Sequence, residues 1–339
     1  MAEQQTKIWK NSNKHIQEAA ELLKLGKLVS FPTETVYGLG ADATNEQAVQ
    51  DIFRAKGRPS DNPLIVHIGT RDVLKQYVSD VPPKADQLMD AFWPGPLTII
   101  LPSNGTLAPN VTAGLDTVGM RMPDHPHALS LLQASKLPVA APSANRSGKP
   151  SPTTADHVYH DLNGRIAGIV DGGPTGVGVE STVLDCTLAT PMILRPGGVT
   201  KAELEAMIGP VDVASSVLEK GEAPRSPGMK YKHYAPDAPI WIVLGGEARM
   251  RQVAEQAAGG GRKVQFLISK ERAQELGIKD ALILGSRSQP EEMTSKLYEL
   301  LREIDTMDVD VVLAESFSKE GIGEALMNRL ERAATEIIE

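Results

Sequence analysis

FPTETVYGLGADA (31–43) and AKGRPSDNPLIVH (55–67) are the two halves of one tract that decides how this chain is read. The first half is the exit of a short apolar strand, 27–31, into hydroxyls, a carboxylate and glycines. The second closes a helix with Lys56 and Arg58, then enters another apolar strand, 64–68, through Asn62 and Pro63. Between them, Asn45 is placed to cap a helix over 45–55, whose apolar residues Ala48, Val49, Ile52 and Phe53 fall on one face. The cations at the end of that helix complement its negative pole. Hydroxyls, glycines and paired cations between two strands are poor core material and well suited to holding anions.

Outward from this tract, short apolar strands are predicted at 97–101, 117–122, 137–141, 168–171 and 182–185. Helices are predicted at 14–25, 83–92, 128–135 and 201–208. These strands are uneven and lack regular crossover helices, so an α/β fold with a mixed, twisted sheet is expected over residues 1–208. From 240 the pattern becomes regular: strands start at Ile240, Lys263, Ala281 and Asp310, and helices follow at 247–258, 270–276, 290–305 and 323–338. That alternation predicts a smaller, Rossmann-like parallel α/β domain over 240–339. The intervening 209–239 has turn-formers, tyrosines and basic residues without periodicity, and reads as a linker serving as an active-site lid.

Composition narrows the function. At 339 residues the chain is long enough for two cores. Hydrophobic content of 41% and charged content of 23% are those of a soluble protein, and no apolar run approaches the roughly 18 residues that span a bilayer. The N-terminus shows no secretory h-region, and the lone Cys186, in the apolar stretch STVLDCTL, reads as a buried thiol in a reducing cytoplasm. A net charge of -8 argues against a protein that coats duplex nucleic acid. There is no G-x-x-x-x-G-K-[ST] phosphate loop, no G-x-S-x-G elbow and no metal spacing among the seven histidines. GGPTGVGVEST (172–182) lacks a lysine and reads as a connection between strands. APSANRSGKPSPT (141–153) follows an apolar strand, where open sheets place ligands, and supplies hydroxyls, an amide and Lys149. With Lys56, Arg58, Arg121 and Arg195 also in Gly-, Pro- or Ser-rich segments, these loops are expected to converge on one polyanion.

The PTETVYGLG run, Lys56-Gly-Arg58, Ser143-Ala-Asn145, FWPGPLT from Phe92 and ESTV from Glu180 together resemble the Sua5/YrdC/YciO family. The added C-terminal α/β unit resembles its longer Sua5 branch. That resemblance implies a YrdC-like catalytic domain and a nucleotidyltransferase that joins L-threonine, bicarbonate or carbon dioxide, and ATP into L-threonylcarbamoyladenylate, releasing pyrophosphate. The product would pass to the tRNA threonylcarbamoyl-transferase machinery for modification of adenosine 37 in ANN-reading tRNAs. Mg²⁺ would be held mainly by the ATP phosphates. It further implies a threonine pocket of Thr35, His67, Arg121, Ala141 and Ser181. A nucleotide site would comprise Arg58, Asn62, Thr117, Ser143, Ser151, Arg195 and Tyr234, with Lys56 and Asn145 completing the two motifs against the phosphates. Ser226 to Pro236 would close over the nucleotide. An RNA-binding module and a hydrogenase-maturation carbamoyl-transfer domain are the competing readings. The acidic charge and 4% aromatic content weaken the first, with weak RNA contact left open, and the lack of zinc-finger cysteines weakens the second.

Overall fold

The computed structural model describes residues 5–10, 12–214 and 234–339. They form two compact units: 5–147, 151–176 and 180–214 in the first, and 148–150, 177–179 and 234–339 in the second.

Eleven strands are seen in the first unit: β1 (Lys7–Trp9), β2 (Val29–Phe31), β3 (Gly38–Asp42), β4 (Ile65–His67), β5 (Leu97–Pro102), β6 (Thr117–Arg121), β7 (Val139–Ala140), β8 (Gly168–Val170), β9 (Thr182–Asp185), β10 (Met192–Arg195) and β11 (Asp212–Val213). They make one sheet in the order β1-β8-β2-β3-β7-β4-β6-β5-β9-β10-β11. Pairing is mixed as expected: β4 runs parallel to β6 and β5 to β9, whereas β2–β3, β3–β7 and β5–β6 are antiparallel.

Helix α1 (Asn13–Lys24) is capped by Ser12, and α2 (Glu46–Lys56) by the predicted Asn45, whose side chain accepts from the Ala48 amide. Ala48, Val49, Ile52 and Phe53 of α2 are all buried, as the one-sided stripe requires. Gly57 ends α2 at φ 65°, a left-handed turn that aims Arg58 back along the strand entrance. Burial on both sides of the sheet is extensive, with Phe31, Tyr37, Leu39, Leu64, Ile68, Leu88 and Leu97 fully inside. Cys186 is 4% exposed, and burial, reinforced by Asp185, pushes its thiol up to about 12, so it is an inert core group.

The second unit carries five parallel strands: β12 (Ile240–Val243), β13 (Val264–Ile268), β14 (Leu282–Ile283), β15 (Val311–Glu315) and β16 (Glu336–Ile338), in the order β14-β13-β15-β12-β16. The last helix ends at Ala333, earlier than the expected 338. The residues after it pair with β12 instead, matching Trp241 to Glu336 and Ile242 to Ile337. Two apolar residues at the chain end satisfy either period, and the open edge of β12 decides in favour of the strand. Among the described residues no helix is long and apolar enough to cross a membrane.

Candidate active site

The site begins with two strand ends. β4 and β6 are parallel and in register, with Ile65 opposite Gly119 and His67 opposite Arg121, so the imidazole and the guanidinium emerge side by side at the carboxyl ends of adjacent strands. Both are buried, at 4% exposure each. Burial, then the neighbouring Arg121, lowers His67 from 6.5 to about 3, so the ring is neutral at physiological pH. Its ring packs T-shaped against that of Phe31, with centres 5.9 Å apart. Arg121 donates through Nε to the Gly95 carbonyl (3.3 Å), and its Nη2 lies 2.6 Å from Oε1 of Glu34.

Three loops close around these ends. The hydroxyl of Thr33 accepts from the amides of Thr35 and Val36, which folds the 33–36 segment tightly and buries Thr35. Tyr37 ties that loop to the glycine-rich one: its hydroxyl donates to the Gly173 carbonyl (2.7 Å) and accepts from the Gly172 amide (3.2 Å). The 141–153 loop is bound to the same run, because Leu39, Ala144 and Tyr37 make backbone hydrogen bonds with Pro142, Tyr37 and Pro152 respectively. Ala141 donates its amide to the Ile65 carbonyl, which fixes it beside β4. Ser181 lies on the third loop, where its hydroxyl meets Thr98 Oγ1 at 2.8 Å. Arg195 grips that residue, donating through Nε and Nη2 to the Ser181 carbonyl and through Nη2 to its hydroxyl. The RPGG turn must press against this backbone. A Cβ on Gly197 would sit 2.3 Å from the Glu180 carbonyl oxygen and from the Thr182 nitrogen.

Lys56 is joined to the Ser143–Asn145 loop by its ammonium group. It is 2% exposed, and its ammonium donates to the Ser143 carbonyl (2.6 Å), the Asn145 carbonyl (2.5 Å) and Asn145 Oδ1 (3.3 Å). Ser143 Oγ donates to the same Asn145 oxygen at 2.6 Å. The Lys56 motif therefore braces the Ser143–Asn145 loop from beneath, and Asn145 is largely committed to that brace. Arg58 is only partly buried and reaches the Asn62 and Pro63 carbonyls at 3.5 Å. Thr117 begins β6, four residues before Arg121 and roughly 13 Å away along the strand. It lines a small cleft with Pro63 and Leu64, which puts it beside the Arg58–Asn62 turn and apart from the threonine group. Ser151 donates to Glu180 at 2.6 Å, both buried.

Two expected contributors belong to the second unit. Tyr234 packs in the second unit, its ring 5.2 Å from that of Tyr298 and 5.8 Å from the Arg329 guanidinium carbon. Most of the lid segment, 226–233, lies outside the described residues. Lys149 is held by Asp237 and Asp305 at 2.7 and 3.0 Å within the second unit, so its charge is matched by carboxylates. Among the described residues no group of three His, Cys, Asp or Glu could hold a metal ion. Sequence reasoning passed over Glu34, Thr98 and Glu180 as site residues. A carboxylate flanked by threonines at a strand exit was the available signal for Glu34.

A mixed sheet whose strand ends gather buried cations, hydroxyls and a braced polar loop is suited to holding a small anionic ligand. The chain belongs to the Sua5/YrdC/YciO family. The family model described as "Telomere recombination" matches residues 21–197, and that described as "Threonylcarbamoyl-AMP synthase, C-terminal domain" matches residues 199–335. The threonylcarbamoyl-AMP synthase of Bacillus subtilis (strain 168) is 54% identical over 94% of this chain and 92% of its own length. That of Pyrococcus abyssi is 46% identical over 94% of each. A crystal structure of P. abyssi Sua5 complexed with L-threonine superposes with a TM-score of 0.89 at 44% identity, covering 98% of both chains.

Proposed function

We propose that this chain is an L-threonylcarbamoyladenylate synthase, a nucleotidyltransferase acting on L-threonine, bicarbonate or carbon dioxide, and ATP. The observation that carries the reading is the buried Arg121 guanidinium at the carboxyl end of β6, beside neutral His67 and close to buried loop hydroxyls. A planar, desolvated fork suits an amino acid carboxylate, and the relative crystallised with L-threonine has the same fold over nearly its full length.

The chemistry needs no protein nucleophile. The threonine ammonium first gives up a proton; the neutral amine then attacks the carbon of carbon dioxide, forming the N–C bond and losing a second proton, and from bicarbonate hydroxide leaves as well. A carbamate oxygen then attacks the α-phosphorus, and the bond to pyrophosphate breaks. Catalysis is positioning and charge neutralisation. Arg121 orients the carboxylate, with Thr35, Ser181, Ala141 and neutral His67 around the amino acid. Arg58, Asn62, Thr117, Ser143, Ser151 and Arg195 belong to the nucleotide, with the Lys56 brace setting Ser143 in place. Tyr234 and the 226–236 segment would close over the nucleotide. Mg²⁺ would arrive as part of the ATP complex. The product suits transfer to adenosine 37 of ANN-reading tRNAs in the cytoplasm by the threonylcarbamoyl-transferase machinery. A methyl group is all that separates threonine from serine, so discrimination of about 10–200-fold is the range open to the pocket.

The test is to incubate the protein with ATP, Mg²⁺ and bicarbonate, with L-threonine or other amino acids, and to measure pyrophosphate and the adenylate. Pyrophosphate release requiring both threonine and bicarbonate is expected. Release indifferent to either overturns the assignment.

A further inference from the structure

Glu34 lies against Arg121 and takes no part in the chemistry assigned to the other residues. Its side chain is 14% exposed, that of Arg121 5%, and the two are in contact at 2.6 Å. The contact is one of charges: Glu34 Oε1 and Oε2 and Arg121 Nη2 are all buried, and among the described residues none makes a hydrogen bond of acceptable direction. Nδ1 of His67, on the strand beside Arg121, is buried in the same condition. Buried charged groups ordinarily spend their hydrogen-bonding capacity in full. Here a cation and an anion meet, and both retain directional capacity for a third party. The Thr33 turn holds Glu34 in this position, since its hydroxyl accepts from the amides on either side of the next peptide link, those of Thr35 and Val36.

A buried pair of opposite charges with unspent donors and acceptors is complementary to a zwitterion. If a substrate carboxylate takes the Arg121 fork, Glu34 loses its counter-charge, and a desolvated carboxylate left unpaired is costly. An α-amino acid brings its own compensation, because its ammonium group replaces the guanidinium against Glu34. A hydroxy or plain carboxylic acid brings none. We propose that Glu34 recognises the α-ammonium group of the substrate amino acid, exchanging its pair with Arg121 for one with the ammonium while Arg121 takes the carboxylate. Glu34 is thereby a specificity residue for zwitterions, working by penalising anions that lack the amine. The inference rests on the assignment of Arg121 to the amino acid carboxylate.

The experiment titrates the full chain calorimetrically with L-threonine and with 3-hydroxybutanoate, which is threonine without its amino group. In Glu34→Gln the internal competitor for Arg121 is gone, and so is the partner for the ammonium. The Kd for threonine is expected to rise at least about tenfold, the factor that corresponds to about 1.4 kcal/mol, while the Kd for 3-hydroxybutanoate falls. Movement of both constants in the same direction, or of neither, overturns the role of Glu34, because a purely structural residue would weaken both. Glu34→Asp guards against a folding defect: it keeps the charge and should keep the preference for threonine over 3-hydroxybutanoate, and its loss of that preference would equally refute the proposal. Failure of the wild-type chain to bind threonine at all would instead overturn the assignment of the pocket on which this one rests.

Discussion

Replacing Lys56 with methionine separates a brace from a phosphate ligand. Methionine keeps an unbranched stem in the same channel and removes the ammonium that holds the Ser143 carbonyl, the Asn145 carbonyl and Asn145 Oδ1. Hydrogen bonds to a charged donor contribute about 1.5–3 kcal/mol each, and the Ser143 and Asn145 carbonyls lose this donor while Asn145 Oδ1 keeps the Ser143 hydroxyl. Returning a 2% exposed ammonium to water offsets several kcal/mol of that total, leaving a net loss of about 2–4 kcal/mol. Urea unfolding of wild type and Lys56→Met measures the loss directly. Amide exchange should accelerate locally at Ala144, which bonds to the Tyr37 carbonyl, and at Ser147, which bonds to the Lys56 carbonyl. ATP affinity would fall as a consequence, through displacement of Ser143. Stability within about 0.5 kcal/mol of wild type, with unchanged exchange and lost ATP binding, would refute the brace and restore Lys56 as a phosphate contact.

Other expectations follow from the same geometry. His67 has a folded-state value of about 3 against 6.5 ordinarily, so the unfolded chain binds the extra proton between those limits. Its contribution to stability is complete above about pH 6.5 and is lost as pH falls towards 3, at up to about 1.4 kcal/mol per pH unit; His67→Gln should show a flatter decline in urea midpoints between pH 7 and 4.5. Parallel declines would remove His67 as the cause. Cys186, with its thiol near 12 and 4% exposure, should react with a thiol reagent at pH 8 only at the rate of unfolding, and labelling faster than unfolding would contradict its burial. Gly197→Ala forces a Cβ into the 180–182 backbone and should cost about 3 kcal/mol while misplacing Ser181; a variant as stable and active as wild type would show that the close approach is dispensable.

Much of this was legible in the residues because strong periodic segments speak for themselves. The helices at 83–92 and 201–208 and the strand at 182–185 fall where their apolar spacing puts them. β3 was not legible, since Gly38 and Gly40 give it a loop's composition. They are there because a Cβ on Gly40 would meet Val139 and Phe31 within 3 Å. β1, β10 and β11 are two to four residues long and are defined by their neighbours more than by their own pattern. In the site, His67 and Arg121 stand out as polar residues ending apolar strands. Lys56 announces a cation but not its partners, which lie 87 and 89 residues away. Glu34 looks like an ordinary loop carboxylate until the fold sets it against Arg121.

The side-by-side placement of His67 and Arg121 also bears on when the site comes into being during folding. These residues are joined through two parallel strands that are far apart in sequence, and parallel pairing closes a long loop before any contact rewards it. Slippage by a single residue would turn one of the two side chains to the opposite side of the sheet. Helices and local turns can therefore be complete while the pocket does not yet exist. Acquisition of ligand binding during refolding would then report that β4 and β6 have paired in register, making the ligand a probe for correct strand pairing.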